Sequence, residues 1–73
     1  MEREVTVGGI YRHFKGNMYE VLAIGRHSET LEPLVVYRAL YGEGGVWVRP
    51  LENFTETVTR EGKTCARFEK ISE

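Results

Sequence analysis

Leu34–Pro50, LVVYRALYGEGGVWVRP, is the stretch that decides the reading of this chain. β-Branched and aromatic residues fill Leu34–Tyr41, and Val46–Arg49 repeats that composition. Such side chains favour the pleated backbone of a strand. Between the two runs, Gly42-Glu43-Gly44-Gly45 accepts the positive φ values of a tight turn. The stretch therefore reads as two strands joined by a glycine-rich turn, the second stopped by Pro50. It also carries most of what is chemically distinctive here: Tyr37, Arg38, Tyr41, Trp47 and Arg49.

Working outward, the preceding chain supplies strands to pair with it. Met1–Val7 is charged and short, a frayed end or a first edge strand, and Gly8-Gly9 breaks it. Ile10–Phe14 alternates, with Ile10, Arg12 and Phe14 on one side and Tyr11 and His13 on the other. Lys15-Gly16-Asn17 is a turn. Met18–His27 is a second strand, apolar on both faces between Val21 and Ile24, as expected of a strand covered on both sides or strongly bent. Gly25 is the candidate bulge. Ser28–Pro33 is a polar connection in which Pro33 blocks regular pairing.

Downstream, Leu51–Phe54 is expected to form a single 3₁₀-like turn that plugs one end of the sheet. Thr55–Arg60 and Thr64–Ile71 form a last hairpin about Glu61-Gly62-Lys63, and Lys70–Glu73 frays. Turn signals recur every ~8–12 residues and no long helix interrupts them, which points to an all-β fold. The expected architecture is a small SH3-like, partly open barrel of about five to seven short strands. It forms one domain over residues 1–73, with an ordered part of about 8–71.

Composition narrows the function. A formal net charge of −1 removes the broad electrostatic case for nucleic-acid or anionic-membrane binding, but not a local patch. All the acids are glutamate, which weakens metal or phosphoryl-transfer chemistry built on aspartate. Cys65 is the lone cysteine, so no internal disulfide forms. No secretion signal opens the chain and no apolar run approaches ~20 residues, so the expected compartment is the cytoplasm, with no membrane partner.

An ordered series of short strings carries a family resemblance: Tyr11–Gly16, Tyr19–Leu22, Arg26–Thr30, Val35–Arg38, Leu40–Gly42 and Trp47–Pro50. Together they resemble the small bacterial family called domain of unknown function sixteen-fifty-three, from Gly9 to about Ile71. The series departs at Gly25, where alanine is expected. The resemblance implies a bacterial, cytoplasmic, stand-alone or appended module. It implies no established activity and no catalytic residues.

Two constellations are candidate sites. The first is the aromatic–arginine set of Tyr11, Tyr37, Tyr41 and Trp47 with Arg12, Arg26, Arg38 and Arg49. Rings offer stacking platforms and guanidiniums offer forked donors for phosphate or carboxylate. The structural reading of the same residues makes the rings core and barrel rim, with the arginines paired to Glu20, Glu32 and Glu52. The second is Arg26-His27-Ser28-Glu29-Thr30, where Arg26 or His27 grips an anion helped by Ser28 and Thr30. Its structural reading is a self-satisfied turn in which Glu29 neutralises Arg26.

Metal binding and nucleophilic catalysis find little support. His13, His27 and Cys65 lack usual ligand spacing, and Cys65 reads as a small apolar or inert thiol. Ser28 and His27 are adjacent and point to opposite faces of an extended chain. The chain thus reads as a non-catalytic binding or accessory module with no cofactor. Its first candidate partner is a nucleic acid or nucleotide, and its second is a protein, a peptide or a copy of itself. A third reading, a small-molecule sensor or enzyme, uses Arg26, His27 and Glu29. Arg38 offers a probe. Paired inside the sheet, its loss costs about 3–5 kcal/mol. Serving a ligand, its loss hardly changes stability.

Overall fold

The computed structural model describes residues 5–72. Seven strands run in the order β1 (Ile10–His13), β2 (Met18–Arg26), β3 (Pro33–Ala39), β4 (Val46–Pro50), β5 (Thr57–Arg60), β6 (Lys63–Ala66) and β7 (Phe68–Ser72). One helical turn, α1 (Leu51–Phe54), follows β4. The fold is all-β, as the spacing of turn signals predicts. A five-stranded antiparallel sheet is ordered β4-β3-β2-β1-β7, and β5-β6 form a separate hairpin. The large sheet does not close into a barrel, so β4 and β7 are its two edges.

The decisive hairpin forms as read. β3 and β4 pair from Leu34↔Pro50 to Arg38↔Val46, and Gly42 and Gly44 take positive φ in the turn. Pro33 does not block pairing. It opens β3 opposite Arg26, the first position of a strand, where a missing N–H is tolerated.

Aromatic rings fill the core. Tyr11, Val21, Val35, Tyr37, Phe54 and Phe68 are buried together, with Val5, Tyr19 and Leu51 packed against them. Pro50 turns the chain off β4, and α1 drops Phe54 onto the sheet. There Phe54 stacks on Phe68 with centroids 4.1 Å apart and meets Tyr11 and Tyr37 edge-on at 5.4 Å. The turn is α rather than 3₁₀: the Thr55 N–H reaches back four residues to the Leu51 carbonyl, and the Thr55 hydroxyl donates to the same oxygen. The tighter three-residue bond is confined to its exit, from the Glu56 N–H to the Asn53 carbonyl.

Three further expectations are corrected. The β2 bulge falls between Val21 and Ala23, while Gly25 pairs in register with Leu34. The bulge keeps Val21 buried, and it leaves Leu22 and Ile24 partly exposed rather than covered on both faces. The expected strand Thr64–Ile71 is two strands, broken at Arg67. The Arg67 N–H donates to the Glu56 carbonyl, the Phe14 N–H donates to the Arg67 carbonyl, and the Arg67 guanidinium meets Glu56 at 2.8 Å. These bonds turn the chain from the small hairpin to the large sheet.

The third concerns the ends. Lys70 does not fray, because β7 pairs with β1 as far as Ile10↔Ser72. Val5 packs on the core and Thr6 donates its N–H to the Tyr11 hydroxyl, but neither belongs to a strand. Expectations for residues 1–4 and 73 lie outside the described residues.

Candidate functional site

β4 is an edge strand, and the direction of its backbone groups follows from the ladder. The Ala39 N–H donates to the Gly45 carbonyl at 2.9 Å. Hydrogen-bonded and non-hydrogen-bonded pairs alternate along an antiparallel ladder. Gly45, Trp47 and Arg49 therefore bond to β3, while Val46, Val48 and Pro50 turn their backbone groups outward. Pro50 has no N–H to lose there. Val46, Trp47 and Val48 are 56%, 56% and 58% exposed. Val48 continues an outer-face row through Val36 to Ala23. The Trp47 indole, on the other face, lies along the strand above Gly45, 3.5–3.9 Å from where a Cβ would stand.

The opposite edge is defended. β7 presents Glu69 and Lys70, with Arg12 paired to Glu69 at 2.9 Å and the Lys70 ammonium on the Thr6 hydroxyl at 3.2 Å. Charged side chains discourage further strand pairing. Val46–Val48 has none. This is the signal that sequence reasoning missed: the run between Gly45 and Pro50 was read for its ring and its arginine, not for its uncharged, open backbone.

The aromatic–arginine set does not form one face. Tyr11 and Tyr37 are core, 6% and 5% exposed, because their strand parity points them inward between Phe54 and Phe68. Arg49 shares that parity. Its Nε donates to the Tyr37 hydroxyl at 3.1 Å, its terminal nitrogen donates to Asn53 Oδ1, and its guanidinium lies 5.4 Å over Phe68. Arg12 and Arg38 are on the outer face, each engaged by a carboxylate. Tyr41 and Trp47 remain exposed. Glu20 takes its expected role, with Arg38 at 2.6 Å, and Glu69 and Glu56 serve Arg12 and Arg67.

Arg38 and Glu20 side chains retain 47% and 30% exposure. Water screens such a pair, so Arg38→Ala is expected to cost about 1 kcal/mol or less in chemical denaturation. The buried-pair cost of several kcal/mol does not apply.

The second constellation is a self-satisfied turn. His27 organises it: Nδ1 accepts the N–H groups of Glu29 and Thr30, and the His27 carbonyl accepts from Leu31. The Thr30 hydroxyl accepts the Glu32 N–H. Arg26 donates to the Leu31 carbonyl at 3.2 Å instead of pairing with Glu29. Ser28 is exposed. The Nδ1 atom of His27 is thus committed to the backbone.

Tyr19 and His13 have displaced pKa values. Burial and the hydrogen bond with Tyr41, O···O 2.8 Å, push the Tyr19 phenol up to about 12. Burial first, then Arg49, Arg67 and Lys15, hold the His13 imidazole below its ordinary 6.5. The unfolded chain therefore binds the His13 proton at higher pH than the folded chain. Stability is full above the unfolded pKa and falls as pH drops through the folded one. The urea midpoint should decline as the pH is lowered below about 6.5, the ordinary imidazole value, and His13→Asn should flatten that decline.

Among the described residues no three His, Cys or Glu side chains gather as a metal site, and no helix is long and apolar enough to cross a membrane. Cys65 is exposed.

The model of the family described as "Protein of unknown function (DUF1653)" matches residues 9–70. The chain belongs to that family. A crystal structure of a DUF1653 protein from Bordetella bronchiseptica is similar to it, with 34% identity, a TM-score of 0.84, and coverage of 97% of this chain and 94% of that one. No curated protein matches. The DUF1653 description names no activity, so any function for this DUF1653 chain has to be argued from its own residues.

Proposed function

We propose that the chain is a non-catalytic protein-interaction module that accepts an extended strand of its partner along β4. The observation that carries this reading is the open, uncharged edge of Val46 and Val48, beside a β7 edge that carries charge. Added strands gain affinity from main-chain hydrogen bonds and specificity from alternate side chains. Here Val46 and Val48 supply the first, and the exposed Trp47 ring supplies a contact for the second.

The test is a titration of the ¹⁵N-labelled chain with a synthetic peptide copying Gly44–Pro50. Strand addition shifts the Val46 and Val48 amide resonances and slows their hydrogen exchange. Unchanged exchange at both amides under saturating peptide would overturn the reading.

The nucleic-acid reading keeps two exposed rings, Tyr41 and Trp47, but loses Tyr11 and Tyr37 to the core. Trp47 emission is expected to stay flat when single-stranded oligonucleotide is added at low salt. Quenching that weakens steeply with salt would favour the nucleic acid instead.

A further inference from the structure

We propose that the strand accepted by β4 is β4 of a second copy, joined antiparallel about a two-fold axis at Trp47. This rests on the edge-addition reading above and names its partner. Two independent features centre on the same residue. The triplet Val46-Trp47-Val48 is a palindrome, so a two-fold at Trp47 sets Val46 of each copy against Val48 of the other. The ladder also turns the backbone groups of Val46 and Val48 outward while Trp47 bonds to β3. Each Val46–Val48 pair can then exchange both N–H···O bonds, and the two Trp47 residues form the closer, non-hydrogen-bonded pair between them.

Neighbouring registers fail on single atoms. A two-fold at Val48 sets Pro50 opposite Val46, and Pro50 cannot donate to the Val46 carbonyl. A two-fold at Val46 sets Gly44 opposite Val48, but the Gly44 N–H is already given to the Tyr41 carbonyl at 3.1 Å. Registers offset by one residue set outward groups against Trp47 groups that face β3. The Trp47-centred register leaves no outward group of Val46 or Val48 unpaired.

Charge does not oppose the pairing. The triplet carries none, Arg49 is held within its own copy by Tyr37 and Asn53, and the whole chain carries a net charge of −1. At the centre, two indoles face each other across the strands, an arrangement that favours aromatic pairs. Three exposed side chains per copy are few beside the ~20–30 residues a side of a standard interface. The dimer is therefore reversible and concentration-dependent.

Sedimentation of the full chain across a wide concentration series tests this. The weight-average mass is expected to rise from the 8.4 kDa monomer towards twice that value. Val48→Pro removes an outward N–H without touching the β3 ladder, so it should stay monomeric while its thermal unfolding remains close to that of the parent. Should proline disturb β4, Trp47→Lys provides the second probe. Two lysines facing each other on the axis repel, so it too should stay monomeric, and mixing it with Trp47→Glu should restore association.

A parent chain that stays monomeric while the Gly44–Pro50 peptide still binds would overturn the second copy and leave strand addition standing. A monomer that also ignores the peptide would overturn both. A dimer indifferent to Val48→Pro and Trp47→Lys would place self-association elsewhere and overturn the Trp47-centred pairing.

Discussion

Phe54→Ala is expected to leave most of the molecule unfolded at 25 °C. Phe54 is 1% exposed and touches Tyr11, Tyr37 and Phe68. Truncating a buried phenylalanine costs about 3–5 kcal/mol through lost transfer energy and the cavity left behind. A core in a chain this short rarely supplies more than about 3–5 kcal/mol in total. The cavity would open where α1 meets the sheet, with the backbone of Tyr11 and Tyr37 held by strand pairing on either side, so collapse is restricted. Far-ultraviolet circular dichroism in urea is the measurement. Trp47 emission would be a poor reporter, since the ring is already exposed when folded. Phe54→Leu keeps most of the volume and loses the stack on Phe68, so about 1–1.5 kcal/mol is expected. A native-like midpoint for Phe54→Ala would show that α1 does not hold the core.

Arg49→Ala is the second large effect, at about 2–3 kcal/mol. The variant removes the donor to the Tyr37 hydroxyl, the bond to Asn53 that ties β4 to α1, and the cation over Phe68. The near-buried Tyr37 hydroxyl would be left without its donor, which is the costly way to lose a hydrogen bond. Arg49→Lys should recover little, because an ammonium cannot serve both acceptors with a planar fork. In a cycle with Tyr37→Phe the two losses should not add, and the coupling energy measures their contact. Arg38, eleven positions earlier and outward-facing, should show a far smaller loss. Equal losses at Arg38 and Arg49 would overturn their assignment to opposite faces.

Those two arginines show where sequence reading stops. The hairpin Leu34–Pro50 was legible because local chemistry specifies it: β-branched runs on both sides of glycines that accept positive φ. The helical turn after Pro50 was legible for a similar reason. Which face each ring and guanidinium takes was not, because strand parity has to be anchored by contacts far along the chain. Tyr37 and Trp47 are directly paired and share a face, yet one is core and the other is exposed. Only the lateral order of the strands separates them. β3 lies inside the sheet under Phe54 and Phe68, and β4 lies at its rim.

That order depends on β7 reaching back to β1, and no local signal announces it. Thr64–Ile71 looks continuous, and the break at Arg67 comes from bonds to Glu56 and Phe14. Gly25 was the natural place to expect a bend, but the ladder yields at Leu22, which is exposed beside the buried Val21. The β4 edge was readable in principle, as a triplet without charge ahead of a proline, once the sheet order was known.

The same return of β7 brings the first and last described segments side by side. Ser72 lies opposite Ile10, and Lys70 reaches Thr6. A short linker could therefore join them, and new termini could be cut in the exposed loop at Gly42-Glu43. Such a circular permutant would keep every strand pairing while placing a fused reporter beside β4, at the rim opposite β7.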